Sequence, residues 1–185
     1  MPRRTPNLFV LCFVALVCLG ALAGCGKSSN KPGETVREGL STPLGGLRYT
    51  VFLTRQLNLK NEEDSGYLPG MKEAPPGRGL YGVFLQACNK GKNSASATPT
   101  DEFSIVDSQG ETFQATVLNP TNPFAYHGGP VPPDNCMPAR GSLAQQGPTS
   151  GAMLLFNLPL AATENRPLQL HIRGQQTQAI VTLDI

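Results

Sequence analysis

The chain has 185 residues, with 15 lysines and arginines against 13 acidic residues and a formal net charge of +2. A balance this close to neutral lacks the basic surface that nucleic-acid binding requires, so we expect no nucleic-acid partner. Glycine and proline are frequent, with 20 and 17 residues, and they favour short elements separated by turns.

The start of the chain predicts a secretory signal peptide over residues 1–24. Arg3 and Arg4 give it a positive charge, and residues 8–23 carry no charge. This apolar run ends at Gly24, short of the roughly 20 residues that a membrane-spanning helix needs. A signal anchor that stays in the membrane is the alternative. Cleavage after Gly24 would remove both arginines and leave equal numbers of basic and acidic residues.

The residues before the cleavage point resemble the lipobox of bacterial lipoproteins. In that motif the signal is cut just before a cysteine whose thiol carries a diacylglyceryl group, and Leu22-Ala23-Gly24-Cys25 fits it. The resemblance implies a lipid on Cys25 that holds the protein on the extracytoplasmic face of the cell membrane. Residues 25–32 then form the lipidated cysteine and a small, polar, flexible tether. A chance cysteine beside an ordinary cleavage site is the alternative.

The remaining cysteines predict one disulfide bond. Cys12 and Cys18 lie in the predicted signal peptide and Cys25 is assigned to the lipid, which leaves Cys88 and Cys136. A single pair in an exported chain most simply forms a disulfide, because the compartments outside the cytosol are oxidising. Two free thiols, or metal ligation by the pair, are the alternatives.

Residues 33–185 predict an all-β domain. Short runs alternate apolar and polar residues, or are apolar throughout, and contain the β-branched and aromatic residues that strands favour. Their spacing is typical of an antiparallel β-sandwich. The predicted strands are 34–37, 48–57, 80–88, 103–107, 111–118, 151–158, 168–172 and 179–185.

Two local expectations follow from the same patterns. The period of 2 places Tyr49, Val51, Leu53 and Leu57 together on one face of their strand. The polar residues 58–64 after this strand are expected to form a loop. No segment of the predicted domain has a convincing helical pattern.

Several short motifs resemble the telokin-like, immunoglobulin-like domain found in many bacterial lipoproteins of unknown function. They are an opening strand at 33–36, a strand at 47–51, a strand at 80–89 ending in asparagine, a hairpin at 103–113 and a closing strand at 147–159. The resemblance implies an immunoglobulin-like antiparallel β-sandwich over residues 33–185. The family has no agreed catalytic residues, so the resemblance implies none in this chain.

No arrangement of residues predicts catalysis, and no cofactor is expected. The histidines, His127 and His171, have no serine and acid at a supporting spacing, which disfavours an envelope hydrolase. His171 lies on an alternating strand and is expected to face solvent. An exported copper-type site that joins His127 to the soft ligands Cys136, Met137 and Met71 is the alternative function. It competes with the disulfide for Cys136.

The Pro-rich connections 64–79 and 119–140 predict the contact surface of a non-enzymatic binding domain. Surface loops often carry the binding function of such folds, and these two contain side chains of the kind that anchor interfaces. The expected partner is a protein, a wall polymer or a small ligand. The alternative is that these side chains fold back and cap the core. The candidate residues are Tyr67, Met71, Phe124, Tyr126 and Met137.

Overall fold

The computed structural model describes Lys31 and residues 33–185, which form a β-sandwich and confirm the predicted all-β class. The helices are α1 (Glu62–Tyr67) and α2 (Leu143–Gln146), with 3-10 turns at Thr100–Glu102 and Leu160–Glu164. The strands are β1 (Thr35–Arg37), β2 (Ser41–Leu44), β3 (Leu47–Leu57), β4 (Arg78–Asn89), β5 (Ala95–Ala97), β6 (Phe103–Val106), β7 (Thr112–Gln114), β8 (Gly129–Val131), β9 (Cys136–Met137), β10 (Ala152–Pro159), β11 (Gln169–Arg173) and β12 (Gln178–Thr182).

The strands form two stacked sheets and one separate pair. The first sheet has the order β1-β12-β11-β6-β7, and the second has the order β10-β4-β3-β2 with β9 beside β4. Strands β5 and β8 form the separate pair. All of these pairs are antiparallel, as predicted, except that β1 runs parallel to β12. Strands β2, β5, β8 and β9 were not among the predicted strands.

The main core lies between the two sheets. Side chains from both sheets alternate between this core and the opposite face, as the period of 2 predicts. Burying each large apolar side chain stabilises the fold by about 1.5–3 kcal/mol. Its buried members include Tyr49, Val51, Val83, Leu85, Phe103, Ile105, Leu154, Phe156, Leu170, Ile172 and Val181.

A second apolar cluster, the outer cluster, covers the other face of the second sheet. Leu80 and Phe84 of β4 belong to it, as do Met153 and Leu155 of β10. Helix α1 and two loops pack over these side chains, so the second sheet is buried on both faces. This burial explains why β4 is apolar on both faces. The outer cluster comprises Leu57, Tyr67, Leu68, Leu80, Phe84, Leu118, Ala125, Met153 and Leu155, with Leu59, Met71, Ala74 and Phe124 partly buried against it.

Helix α1 overturns the predictions of a loop over 58–64 and of no helix. The side-chain oxygen of Asn61 caps it by accepting the backbone N–H groups of Glu63 at 2.9 Å and Asp64 at 3.3 Å. Acidic residues fill its first turn, where the helix dipole favours negative charge. Both are helix-start signals, and the polar composition of the segment hid them. Among the described residues, no helix is long and apolar enough to span a membrane.

A β-bulge in β3 divides its apolar residues between the two faces of the sheet. The register against β4 shifts between Val51 and Leu53, so Phe52 is the extra residue. A one-residue shift moves the side chains that follow to the opposite face. Tyr49 and Val51 therefore lie in the main core, whereas Leu57 lies in the outer cluster and Leu53 is 40 % exposed. The prediction that these four side chains share one face is wrong for this reason.

The two ends of the sandwich are distinguished by where the chain enters. Strand β1 is followed by Glu38, whose carboxylate accepts the backbone N–H groups of Thr54 at 2.8 Å and Asp184 at 3.2 Å. Strand β3 ends shortly after Thr54, at Leu57, and β4 begins opposite it at Arg78. Strand β1 therefore runs toward the end of the sandwich that holds Leu57 and Arg78, which we call the far end. We call the opposite end, where β1 starts, the entry end.

Candidate functional site

The predicted lipidation site lies outside the described residues, so the lipid on Cys25 stays a prediction. The same holds for the signal peptide and for the tether before Lys31. What the structure describes is the point where the tether meets the domain. Lys31 is exposed and precedes β1, so the tether joins the sandwich at the entry end.

The disulfide predicted from the cysteine count is present. Cys88 of β4 lies directly opposite Cys136 of β9, and their sulfur atoms are bonded. Next to it, the Nδ2 group of Asn89 donates hydrogen bonds to the carbonyl oxygens of Asn93 and Val131, both at 2.8 Å. The disulfide and this buried amide together fasten the connection around β8 and β9 to the entry end of β4.

The ligands of the copper-type alternative are not brought together. The Cys136 sulfur is occupied in the disulfide, and Met71 and Met137 pack against different clusters. His127 is exposed. In the described part of the chain, no group of three or more His, Cys, Asp and Glu side chains is placed to hold a metal ion.

His171 is less exposed than its alternating strand predicted. It lies on β11 opposite Ser104 and Ile180, and it is half-buried. Its Nε2 atom is buried without a hydrogen-bond partner among the described residues. Burial, and then the nearby charge of Arg173, lower the pKa of His171. The prediction of a solvent-facing histidine is therefore only partly correct.

Tyr126 belongs to the core and not to a contact surface. Its side chain is 2 % exposed, and its hydroxyl donates a hydrogen bond to the carbonyl oxygen of Thr98 at 2.9 Å. The backbone N–H of Thr98 in turn donates to the hydroxyl of Tyr49 at 2.8 Å. The ring packs edge-on against Phe103, with centroids 5.0 Å apart. Burial raises the pKa of Tyr126. The prediction that Tyr126 contacts a partner is wrong.

Tyr67 and Phe124 lie side by side in the outer cluster. Tyr67 is 2 % exposed, and its ring centroid lies 4.7 Å from that of Phe124 and 5.2 Å from that of Phe84, both edge-on. Phe124 and Met71 are partly buried against the same cluster, and Met137 is partly buried against the main core. The five candidate contact residues are thus divided between two clusters. The expectation of one exposed surface is wrong for the two buried tyrosines.

Arg55 holds helix α1 over the second sheet. Its guanidinium carbon lies 5.7 Å from the ring centroid of Tyr67 and 5.8 Å from that of Phe84. The same group forms ion pairs with Asp64 and, at 3.3 Å, with Glu63. Asp64 is buried, and a buried charge is tolerated only when it is paired in this way. We assign this cluster a structural role.

An open cleft lies at the far end of the sandwich. Residues 70–77 form a strap that leads into β4, and Gly70 and Gly77 bound it with positive φ angles of 76° and 79° that favour glycine. Two openings of about 440 and 390 Å³ share Glu73, Ala74 and Leu80 as lining residues. The strap therefore crosses above Leu80 with space on either side. We call the two openings together the strap cleft.

The floor of the strap cleft is a row of outward-facing side chains across the second sheet. Leu80 of β4 lies between Leu57 of β3 and Asn157 of β10, in register with both. Arg78 also lines the cleft, and its Nε–H donates to Oδ1 of Asn157 at 2.9 Å. An Nη2–H of the same guanidinium donates to the backbone carbonyl oxygen of Asn157. Asn157 thereby fixes the direction of the Arg78 side chain.

Positive charge predominates around the strap cleft. Lys60, Lys72 and Arg78 line it together with a single carboxylate, that of Glu73. Lys60 and Glu73 form an ion pair at 3.6 Å. Among the described residues, Lys72 and Arg78 are therefore the cations of the cleft that form no ion pair within 4.0 Å.

Sequence reasoning missed the strap cleft because its residues are far apart in the chain. The connection 64–79 was predicted as a contact loop, but Arg78 and Asn157 are brought together only by the pairing of β4 with β10. One local signal is present. Asn157 is the polar residue on an outward-facing row of β10 that also contains Met153, Leu155 and Pro159.

The comparisons with known proteins concern the fold. No family model matches the chain, and no curated protein sequence does. The secreted protein MPT63 from Mycobacterium tuberculosis has a similar structure, with a TM-score of 0.50 and 13% identity over 83% of this chain and 99% of that chain. At this identity, the similarity shows the β-sandwich fold alone.

Two further solved structures have slightly lower scores. An uncharacterised β-sandwich protein from Clostridium difficile 630 has a TM-score of 0.48 and 14% identity over 86% of this chain and 99% of that chain. A candidate lipoprotein from Bacillus subtilis, YcdA, has a TM-score of 0.49 and 10% identity over 80% of this chain and 38% of that chain. These similarities are too low to carry an argument about function.

Proposed function

We propose that the chain is a bacterial lipoprotein whose β-sandwich binds a ligand or partner and catalyses no reaction. A diacylglyceryl group on Cys25 holds it on the extracytoplasmic face of the cell membrane. The domain belongs to the telokin-like, immunoglobulin-like group of lipoprotein domains. The acyl chains of the lipid on Cys25 supply the membrane anchoring, at about 0.8 kcal/mol for each buried methylene. The mature chain has equal numbers of basic and acidic residues, so its net charge does not reinforce membrane binding.

The observation that carries the exported location is the disulfide between Cys88 and Cys136. Disulfides persist in oxidising compartments outside the cytosol and are rare within it. Cys88 is 8 % exposed and lies within β4, so the bond is part of the packed fold. This agrees with the export signal that the lipobox-like Leu22-Ala23-Gly24-Cys25 represents.

The arrangement of the two ends supports a binding function for the strap cleft. The tether joins the sandwich at the entry end, and the strap cleft lies at the far end. The flexible tether is therefore attached at the end of the sandwich that does not carry the cleft, so it leaves the cleft accessible. The cleft has the size of small-molecule sites, which measure roughly 300–1,000 Å³. The exposed strap beside it is accessible to a larger partner as well.

Metabolic labelling with a fatty-acid analogue tests the anchor. We expect label on the wild-type protein and none on Cys25→Ser, because the thiol that accepts the lipid is removed. Cys18→Ser is the matched control, since it changes a cysteine of the predicted signal peptide and should keep the label. A labelled Cys25→Ser protein, or an unlabelled wild type, would refute the proposed anchoring.

A further inference from the structure

We infer that the strap cleft binds a small organic anion, a carboxylate or phosphate monoester carried on a slender apolar group. This inference rests on the proposed function, because it names the ligand class of the same binding domain. Two features of the cleft lead to it, one electrostatic and one apolar.

The electrostatic feature is an arginine that is oriented but not neutralised. Arg78 is held by Asn157, a neutral amide, through its Nε–H and one Nη2–H. A guanidinium has five N–H donors, so three are not used by these two bonds. Within the described residues, the ion pairs shorter than 4.0 Å involve Arg37, Arg55 and Lys60, and none involves Arg78.

An arginine that is oriented and has free N–H donors can bind a carboxylate or a phosphate. The guanidinium fork matches the geometry of both anions and can donate two parallel hydrogen bonds. Because Asn157 already fixes the side chain, less rotamer entropy is lost when the anion binds. Lys72 of the strap lines the second opening, which Asn157 also lines, and adds a second positive charge to the cleft. A cationic or strictly neutral ligand would leave both charges without a partner.

The apolar feature is the apolar lining of the cleft beside Arg78. Leu57 and Leu80 lie side by side on the sheet, and Ala74 of the strap lines both openings above them. Gly79 adds no side chain to the cleft, and Met71 lines the second opening. Leu57 and Leu80 are each only 4 % exposed, so the apolar surface that a slender alkyl group can contact is mainly that of the half-buried Ala74 and Met71. Burying the surface of the alkyl group adds about 25 cal/mol for each Å² removed from water.

The position of the cleft favours a soluble source for this anion. The same chemistry, an acid on an apolar stem, is offered by a free organic acid or phosphate monoester and by an anionic membrane lipid. The strap cleft lies at the far end of the sandwich, away from the end that the tether joins. We therefore assign the free, soluble anion to the cleft and treat the lipid as an outcome of the test.

The test uses the mature lipidated protein in nanodiscs of neutral phosphatidylcholine, titrated calorimetrically with three soluble probes. The probes are hexyl phosphate, inorganic phosphate and hexanol. We expect hexyl phosphate to bind more tightly than either of the others, because it alone offers both the anion and the apolar stem. Equal affinity for hexyl phosphate and hexanol would overturn the anion site. Equal affinity for hexyl phosphate and inorganic phosphate would overturn the apolar contact.

Variants then locate the binding. Arg78→Gln should weaken hexyl phosphate binding about tenfold or more, since a charge-assisted hydrogen bond is lost. Arg140→Gln changes an exposed arginine that lines neither opening, so it removes the same charge and should leave the affinity unchanged. Lys72→Gln is a second cleft variant, and it should fold normally even if Arg78→Gln does not, because Lys72 is exposed. It should weaken hexyl phosphate binding roughly two- to fivefold. Unchanged affinity in both cleft variants would overturn the assignment.

Two outcomes separate this inference from the proposed function. If the cleft binds phosphatidic acid included in the nanodiscs but does not bind hexyl phosphate, the assignment of a soluble ligand is wrong. The proposal of an anchored binding domain then stands. If none of the probes binds but Cys25 carries its lipid, the ligand class is wrong and the anchor stands. An unlipidated Cys25 contradicts the proposed function whatever the cleft binds.

Discussion

The hydroxyl of Tyr67 accepts a hydrogen bond from the backbone N–H of Thr149 at 2.8 Å and so joins helix α1 to the segment before β10. Both residues are buried, so no water replaces this bond when it is removed. We expect Tyr67→Phe to lower the free energy of unfolding by about 1–3 kcal/mol, the cost of an unsatisfied buried donor. Chemical denaturation measures it. A variant as stable as the wild type would show that this bond does not fasten α1.

The two aromatic residues first expected at one contact surface should differ in their effect on stability. Tyr126 is fully packed in the main core, and Tyr126→Ala should cost about 3–5 kcal/mol. Phe124 is only partly buried against the outer cluster, so Phe124→Ala should cost less. Thermal unfolding of both variants gives the comparison. A Tyr126→Ala variant that unfolds at the wild-type temperature would contradict its place in the core.

The disulfide should stabilise the domain mainly by restricting the unfolded chain. Cys88 and Cys136 are separated by 48 residues, and the loop that they close corresponds to at most about 4 kcal/mol in the chain-entropy model. We expect the Cys88→Ala/Cys136→Ala double variant to lose a few kcal/mol and to stay folded at 25 °C, since both cores are intact. Non-reducing peptide mapping of the wild type is the companion measurement. Two freely alkylated cysteines in exported protein would exclude the bond.

Asp107 should make the stability depend on acid pH. Burial acts to raise the pKa of Asp107, but hydrogen bonds from the Asn165 side chain and from backbone N–H groups outweigh it and hold the pKa below its usual value of 3.8. The stability from these bonds is fully present above the unfolded pKa and is lost as the pH falls through the lower folded pKa. Unfolding measured from pH 7 down to pH 2 should show this loss.

Two asparagine variants test that assignment. Asp107→Asn should be less stable than the wild type at pH 7 and should lose part of the decline below pH 3.8. Asp101→Asn, an exposed residue in the turn before β6, is the control and should follow the wild-type curve. If both variants behave alike, the acid dependence has another origin.

The sequence predicts the longer strands well because their periods and compositions are local properties. Strand β4 is apolar on both faces, and β11 alternates, as their burial requires. The strands that it misses contain two to four residues, too few to establish a period, and two of them include Pro43 or Pro130. The bulge at Phe52 is missed because only the pairing with β4 reveals the extra residue.

The candidate site was harder to predict than the fold. Aromatic residues in Pro-rich loops indicate either an interface or a cap over the core, and the composition of a loop does not distinguish these cases. Here the second sheet has an apolar outer face, and Tyr67 and Phe124 cover it. The strap cleft depends on Arg78 meeting Asn157 across paired strands, a relationship that no local pattern contains.

The central claim is that the mature protein begins at a lipidated Cys25, and mass spectrometry of its N-terminal peptide tests this most directly. Protein extracted from membranes of the native host should yield a peptide that starts at Cys25 and carries the added mass of a diacylglyceryl group. A peptide that starts at Cys25 with an unmodified thiol, or a mature chain that begins at another residue, would contradict the account.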